Sequence, residues 1–158
     1  MTRILLTLFV VLLSVPANAG SCYSNAEAEA EQGIRIHSEL MVIGLNCQVI
    51  GARHGLNLYG DYQRFTVDHA AIIQQYEKIL LRHFASNGGG KPEAQLNKLR
   101  TDFANKISND AAALRPDVFC SKYAPRITKA SAMDSRDLRK WASTFYKSHP
   151  VSKPLCDG

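Results

Sequence analysis

Residues 25–49, NAEAEAEQGIRIHSELMVIGLNCQV, decide the fold of this chain. Ser24 or Asn25 can cap a helix here, and the acidic residues that follow suit its positive N-terminal end. Two sets of side chains then lie on opposite sides of that helix: Ile34, His37, Met41 and Leu45, and Ile36, Leu40, Ile43 and Cys47. Because a helix that is apolar on two faces is buried on both, the segment predicts the central helix of an all-helical domain.

Two other features of this helix bear on its packing. Arg35 and Glu39 lie four residues apart between the apolar faces, where we expect an ion pair. Gly44 costs about 1 kcal/mol of helix stability relative to alanine. We therefore expect its missing side chain to let another helix cross closely at that position.

Glycine and proline divide the rest of the chain into further helical segments. A glycine-rich connection over 51–60 leads to predicted helices over 61–85, 92–115, a short turn within 116–125, and 134–149. Asp134 is the expected cap of the last helix, with Leu138, Trp141 and Phe145 as its buried stripe. The pattern predicts an all-α fold, a small irregular bundle of about four main helices.

The first 19 residues have the marks of a secretory signal peptide. Arg3 gives a positive start, an apolar run over 4–15 follows, and small residues at 17–19 suit cleavage. The run is shorter than the roughly 20 residues that a spanning helix needs. We predict a signal peptide over 1–19, one domain over 20–158, no later transmembrane segment, and a periplasmic or secreted location. A retained anchor and lipidation of Cys22 are the alternatives.

The predicted export decides how the four cysteines are interpreted. None is spaced C-x-x-C, so zinc ribbons and thioredoxin-like chemistry have no support. An exported chain of this size is expected to form two structural disulfides. The sequence allows three pairings, and we favour Cys47–Cys120 with Cys22–Cys156 because the outer pair would tie the chain ends together.

The positive charge is concentrated in the C-terminal half. Residues 91–158 carry 13 Lys and Arg against 7 Asp and Glu, whereas residues 20–90 carry 5 against 7. A basic half can meet an anionic partner, either a protein or a component of the cell envelope. The candidate contact residues are Arg136, Arg139 and Lys140. Nucleic acid is not an expected partner outside the cytoplasm, and the alternative is a solvated surface.

A row of rings is the most suggestive chemical feature. Four rings repeat every seven residues along the predicted 61–85 helix: Tyr62, His69, Tyr76 and His83. Each step drifts by only about 20°, so the rings would form one row within the apolar face. With His37 they could line a pocket for a small ligand, a metal or acid–base chemistry. The alternative is that the rings fill the core.

Other motifs are weaker, and we predict no catalytic residue, no cofactor and no metal-ligand set. Glu39 and Glu77 could form a glycosidase-type carboxylate pair, although Arg35 and Lys78 offer each a cation. Gly88–Lys91 resembles part of a phosphate loop but lacks the following Ser or Thr and a preceding strand. His54 is expected on the surface.

One stretch resembles a group of small exported helical proteins from alphaproteobacteria. The resemblance rests on residues 31–47, EQGIRIHSELMVIGLNC, with Leu58-Tyr59 and Phe119-Cys120. It implies a helical fold, a periplasmic location and a Cys47–Cys120 disulfide. That group has no established activity, so the resemblance transfers no catalytic residues.

These observations favour an exported, non-enzymatic helical protein that binds a protein or an anionic envelope component. A chaperone, an inhibitor and an immunity-type protein all fit this description. The main alternative is a small-ligand or metal-binding protein or enzyme that uses the His/Tyr row. A purely structural envelope protein is a third hypothesis.

Overall fold

A computed structural model describes residues 22–87 and 89–156, which fold into an all-α bundle stapled by two disulfides, as predicted. The predicted signal peptide over 1–19 lies outside the described residues. Four longer helices and three short ones form the bundle: α1 (Asn25–Arg53), α2 (Leu58–Asp68), α3 (Ala70–Ser86), α4 (Pro92–Ala113), α5 (Pro116–Tyr123), α6 (Pro125–Ser131) and α7 (Ser135–Ala142). In this part of the chain, no helix is both long and apolar enough to cross a membrane.

Helix α1 occupies the centre of the bundle, as predicted, although Leu45 on one of its two apolar faces is 44% exposed. It starts with a capping box, in which Ser24 accepts from the Glu27 amide and Glu27 accepts from the Ser24 amide. It contacts each of the other helices of the bundle. Its N-terminal half is buried without interruption from Glu31 to Ile36, so the bundle is built around this single element.

Two glycines of α1 lie where another helix crosses it, and the tighter contact is at Gly33. A Cβ on Gly33 would lie 2.3 Å from two ring atoms of Tyr76, so α3 crosses α1 where only a glycine fits. A Cβ on Gly44 would lie 3.4 Å from Tyr62 Cβ and 3.6 Å from the Cα of Tyr59. Helix α2 therefore crosses α1 closely at Gly44, as expected, but leaves room for a methyl group there.

The helix predicted over 61–85 is two helices joined at His69. Helix α2 ends at Asp68 and α3 begins at Ala70, with His69 at φ −107° and ψ 12° between them. The physical reason is that the two halves pack differently, since α2 lies against α6 whereas α3 lies against α4. The interruption at His69 lets one half pack against α6 and the other against α4.

The last helix begins as predicted and ends early. The Asp134 side chain accepts from the amides of Arg136 and Asp137, both at 2.8 Å. The helix stops at Ala142 instead of continuing to His149. Phe145 therefore falls outside it and is 40% exposed, although Leu138 is buried as expected.

The C-terminal tail returns to the start of α1. Cys22 bonds to Cys156 and Cys47 bonds to Cys120, so the favoured pairing is confirmed. Beside the first disulfide, the Tyr23 amide donates to the Pro154 carbonyl at 2.8 Å, and the Cys156 amide donates to the Tyr23 carbonyl at 2.9 Å. The two ends of the described chain are thus held together by covalent and hydrogen bonds.

Candidate functional site

The structure does not assemble the predicted ring row into one pocket. Tyr62 lies on α2, His69 at the junction, and Tyr76 and His83 on α3. All four side chains are buried, and none of them lines any of the five cavities described below. The non-helical backbone angles of His69 divide the row between α2 and α3.

The rings on α3 are bound to acidic residues at the start of α1. Tyr76 donates its hydroxyl to Glu29 at 2.8 Å, and burial raises the pKa of this phenol above its usual value. His83 Nδ1 lies 2.8 Å from Glu27 Oε1, and its Nε2 lies 2.7 Å from Lys153 Nζ. These polar atoms are therefore occupied by neighbours that lock α3, α1 and the tail together.

His37 and Tyr62 form a separate pair. His37 Nε2 lies 3.2 Å from the Tyr62 hydroxyl and 3.3 Å from Thr66 Oγ1. Burial, with a smaller contribution from Arg100, lowers the pKa of His37 to about 4. His37 and Arg100 line a small cavity of about 180 Å³. His69 lies apart from this pair, with its ring 4.7 Å from that of Phe65 and its Nδ1 3.5 Å from Ser135 Oγ.

The other predicted side-chain pairs rearrange in the folded chain. Glu39 does not pair with Arg35 as expected but accepts from Arg126 at 3.0 Å, while Arg35 lies 3.7 Å from Glu31. Glu77 is bound by Arg100 from α4 instead of Lys78. Within the described residues, no group of three or more His, Cys, Asp or Glu could hold a metal ion.

The three residues of the candidate basic surface lie on α7 and have different partners. Arg139 binds Gln75 Oε1 at 2.7 Å and lies 3.5 Å from Glu29, so it joins α7 to α3 and α1. Arg136 is exposed and pairs with Asp134 at 3.3 Å. Lys140 instead faces a cavity. All three are exposed, and Lys140 also lines a cavity. Their role as a contact surface stays a prediction.

That cavity is one of three that adjoin each other. Their volumes are about 380, 270 and 320 Å³, and each shares lining residues with the next. Trp141 and Tyr146 join the first to the second, and Arg126 and His149 join the second to the third. We call this chain of cavities the basic groove, defined by Arg35, Lys106, Lys122, Tyr123, Arg126, Lys129, Lys140, Trp141, Tyr146 and His149.

Most of the basic side chains along the groove make no ion pair within the described residues. Four exposed lysines, one from each of α4, α5, α6 and α7, line it: Lys106, Lys122, Lys129 and Lys140. Within residues 22–87 and 89–156, none of these four has an ion-pair partner. The groove has three acidic residues, of which Glu39 is bound by Arg126 and Asp110 accepts from the Tyr123 hydroxyl.

The groove also holds a buried arginine. Arg35 stacks over the Phe103 ring at 4.6 Å and donates to the Pro150 carbonyl at 2.5 Å. Its Nε and Nη1 atoms have no hydrogen-bond partner among the described residues. Burial lowers the pKa of His149, and the charges of Arg126, Arg35 and Lys106 lower it further. Six Lys and Arg residues against three acidic residues line the groove, so it is a region of net positive charge.

Aromatic rings alternate with the cations along the groove. Lys122 Nζ lies 4.7 Å and the Arg126 guanidinium 4.9 Å from the Tyr123 ring centre. Trp141 is half-buried, and Tyr146 is 54% exposed. Rings of this kind offer flat apolar faces with a polar edge to a bound molecule.

A separate cavity of about 640 Å³ lies between the end of α1, the start of α2, and α5 with α6. We call it the apolar cleft. Its walls include Ile50, Leu56, Leu58, Ala124 and Pro125, and polar groups lie at its edge. His54, expected on the surface, is exposed and lies at this edge.

Comparison with protein-family models, curated proteins and solved structures finds no match. The resemblance to exported alphaproteobacterial proteins therefore stays a prediction. The basic groove was only partly anticipated, since the excess of Lys and Arg after residue 90 pointed to this half of the chain. The sequence pattern did not predict the apolar cleft. The signal that could have indicated it was the cluster of Gly51, Leu56 and Leu58, which follows a cysteine that pairs with a distant helix.

Proposed function

We propose that this protein is a non-enzymatic binding protein that holds an anionic polymer of the cell envelope in the basic groove. The observation that carries this proposal is the set of four lysines that lack an ion-pair partner and face one groove together with Arg126. Uncompensated cations at a concave surface focus the field and raise the local concentration of an anion.

The shape and chemistry of the groove favour a polymer that carries carboxylate or phosphate groups. Three adjoining cavities give an elongated path, along which Lys and Arg side chains can bind successive anionic groups. Trp141 and Tyr146 offer faces against which sugar rings can pack. Two of the three carboxylates in the groove already have partners. Glu39 binds Arg126, and Asp110 binds the Tyr123 hydroxyl. Binding is therefore favoured over catalysis.

The compartment supports the same proposal. Two disulfides are typical of chains that fold in an oxidising environment, and the first 19 residues predict export. We therefore propose a periplasmic or secreted location, where anionic envelope polymers are present.

The experiment uses Trp141, the single tryptophan of the chain, as a reporter within the groove. The purified protein is titrated with polygalacturonate, and the Trp141 emission is followed at low and high salt. We expect saturable binding that salt weakens, because exposed charges are screened. Lys106→Gln with Lys122→Gln should weaken binding about fivefold to tenfold, the size expected for losing two exposed charge contacts.

The matched control is Lys78→Gln with Lys91→Gln, which removes the same charge from exposed positions outside the groove. It should leave the affinity unchanged, and uncharged dextran should not bind. If both double variants weaken binding equally, net charge alone is responsible and the groove is not the site. If polygalacturonate produces no saturable change, the proposal fails.

A further inference from the structure

We infer that the apolar cleft is a second binding site, which takes the alkyl chain of a single-chain anionic amphiphile and places its carboxylate at Lys129. This inference goes beyond the proposed function, because it concerns a different cavity and a different class of ligand. It rests on the cleft's lining, on the way its walls are held apart, and on the charge at its edge.

The cleft has the size and the surface of a small-molecule site. Its volume of about 640 Å³ lies within the range of roughly 300–1,000 Å³ that is typical of such sites. Ile50, Leu58 and Ala124 provide apolar walls, and Leu56 is 45% exposed beside them. An alkyl chain lying there would remove this apolar surface from water, which is the main driving force for its binding.

The walls of the cleft are fixed before any ligand arrives. The Cys47–Cys120 disulfide holds α5 against α1, with the two Cα atoms 5.5 Å apart. At Gly51 the chain approaches itself so closely that a Cβ would lie 2.7 Å from Leu58 Cδ1. Gly55 has φ +73°, a conformation that glycine adopts without strain, and it carries the turn from α1 into α2. The opening is therefore a property of the fold.

The charge at the edge selects an anionic head group. Lys129 is exposed and has no ion-pair partner in the described part of the chain. The acidic residue at the edge, Asp117, is already paired with Arg115 at 2.9 Å, and this arginine holds the pKa of the Asp117 carboxyl below its usual value. The uncompensated charge at the mouth is thus the Lys129 ammonium, which complements a carboxylate.

Lys129 also lines the basic groove, so an anionic head group at the mouth of the cleft would lie where the two sites meet. The cleft is a single compact cavity, which suits one alkyl chain better than a bilayer surface. We therefore commit to a monomeric fatty-acid-like ligand.

The test measures displacement of a dansyl-labelled undecanoate, whose emission rises in an apolar site. Dodecanoate, dodecanol and dodecylammonium compete for it below their micellar concentrations. We expect dodecanoate to compete about fivefold more strongly than dodecanol, the size of one partly exposed ion pair. Dodecylammonium should be the weakest competitor. Lys129→Glu should reverse the order of the two charged competitors, and Lys129→Met should remove the preference.

A filled variant tests whether the alkyl chain occupies the cleft. Ser121→Trp with Thr128→Trp places two large rings at exposed helical positions that line it. Binding of the probe should fall by more than about tenfold, because burial of a few methylene groups accounts for that much affinity. The control is Ser86→Trp with Thr101→Trp, at exposed positions outside the cleft, which should bind normally.

Three outcomes would overturn the inference: no saturable probe binding, equal competition by all three head groups, or equal loss in the filled and control variants. The variant Lys106→Gln with Lys122→Gln separates this inference from the proposed function. It should weaken the binding of polygalacturonate and leave the binding of the probe unchanged. Either proposal can therefore be disproved without the other.

Discussion

The two ends of α1 differ, although a disulfide fixes each of them. At the N-terminal end, the tail covers the buried polar residues Glu31, Gln32 and Arg35. Its backbone hydrogen-bonds to each of them. Glu31 accepts from the Ser152 amide at 2.7 Å, and Gln32 donates to the His149 carbonyl at 2.8 Å. At the C-terminal end, the apolar walls of the cleft have no such cover in the described part of the chain.

The difference teaches that a disulfide fixes helices without deciding what fills the space between them. Cys22–Cys156 brings a segment whose carbonyls and amides match the polar face of α1. Cys47–Cys120 brings two helices whose facing side chains leave a gap. The covered end therefore contributes to stability, and the open end is where we propose that the amphiphile binds.

Removing each disulfide separately is the strongest test of the difference between the two ends of α1. The crosslinks join residues 134 and 73 positions apart, so loop entropy assigns each about 4–5 kcal/mol. We expect Cys22→Ala with Cys156→Ala, and Cys47→Ala with Cys120→Ala, to lower the free energy of unfolding in urea by that amount. Only the substitutions of Cys47 and Cys120 should also weaken binding of the dansyl probe, because they release one wall of the cleft. Equal loss of probe binding in both would contradict the distinction between the two ends.

A substitution at Glu31 should damage the covered end alone. This carboxylate is fully buried, accepts both the amide and the hydroxyl of Ser152, and faces buried Arg35. We expect Glu31→Gln to cost about 3 kcal/mol, because it removes charged hydrogen bonds and leaves a buried arginine without its counter-charge. Urea unfolding measures the cost, with the exposed Glu93→Gln as control. A cost as small as that of the control would show that the tail contributes little.

Gly33 and Gly44 of α1 give the finest comparison. Gly33→Ala should destabilise the protein by about 1–3 kcal/mol, because the new methyl group overlaps the Tyr76 ring. Gly44→Ala has ordinary contacts, so it should stabilise the protein by about 0.5–1 kcal/mol through helix propensity. Thermal and urea unfolding of both variants measure the difference. If the two changes have the same sign, the helices do not cross where the structure places them.

The sequence predicted the features that depend on local pattern. The two apolar faces of residues 34–47 identified the central helix, and Asp134 marked the start of the last one. The pairing of Cys22 with Cys156 followed from their positions near the two chain ends. In each case the deciding signal lies within a few residues or in the count of cysteines.

The break at His69 could not be predicted in this way. The His69 amide still donates to the Phe65 carbonyl, and its carbonyl still accepts from Ile73, both at 3.0 Å. The apolar spacing therefore continues through the junction as it would in one helix. The two helices pack against different neighbours, α2 against α6 and α3 against α4, and no local pattern contains that difference.

The basic groove could not be predicted from the sequence, for a similar reason. Its lysines come from four helices, and no spacing along the chain relates them to each other. The three residues proposed for contact, Arg136, Arg139 and Lys140, were neighbours on one helix, yet Arg139 is used to join helices. Composition located the charge, and tertiary packing decided which charges meet.

The bond between Cys22 and Cys156 also has a mechanical consequence. A pulling force applied between these two residues passes directly through one covalent link, so the helices between them carry no load. A molecule held at one end and dragged at the other would keep its groove and cleft intact for as long as that link is oxidised. The bundle behaves under tension as a closed ring, and its shape is insulated from whatever pulls on its ends.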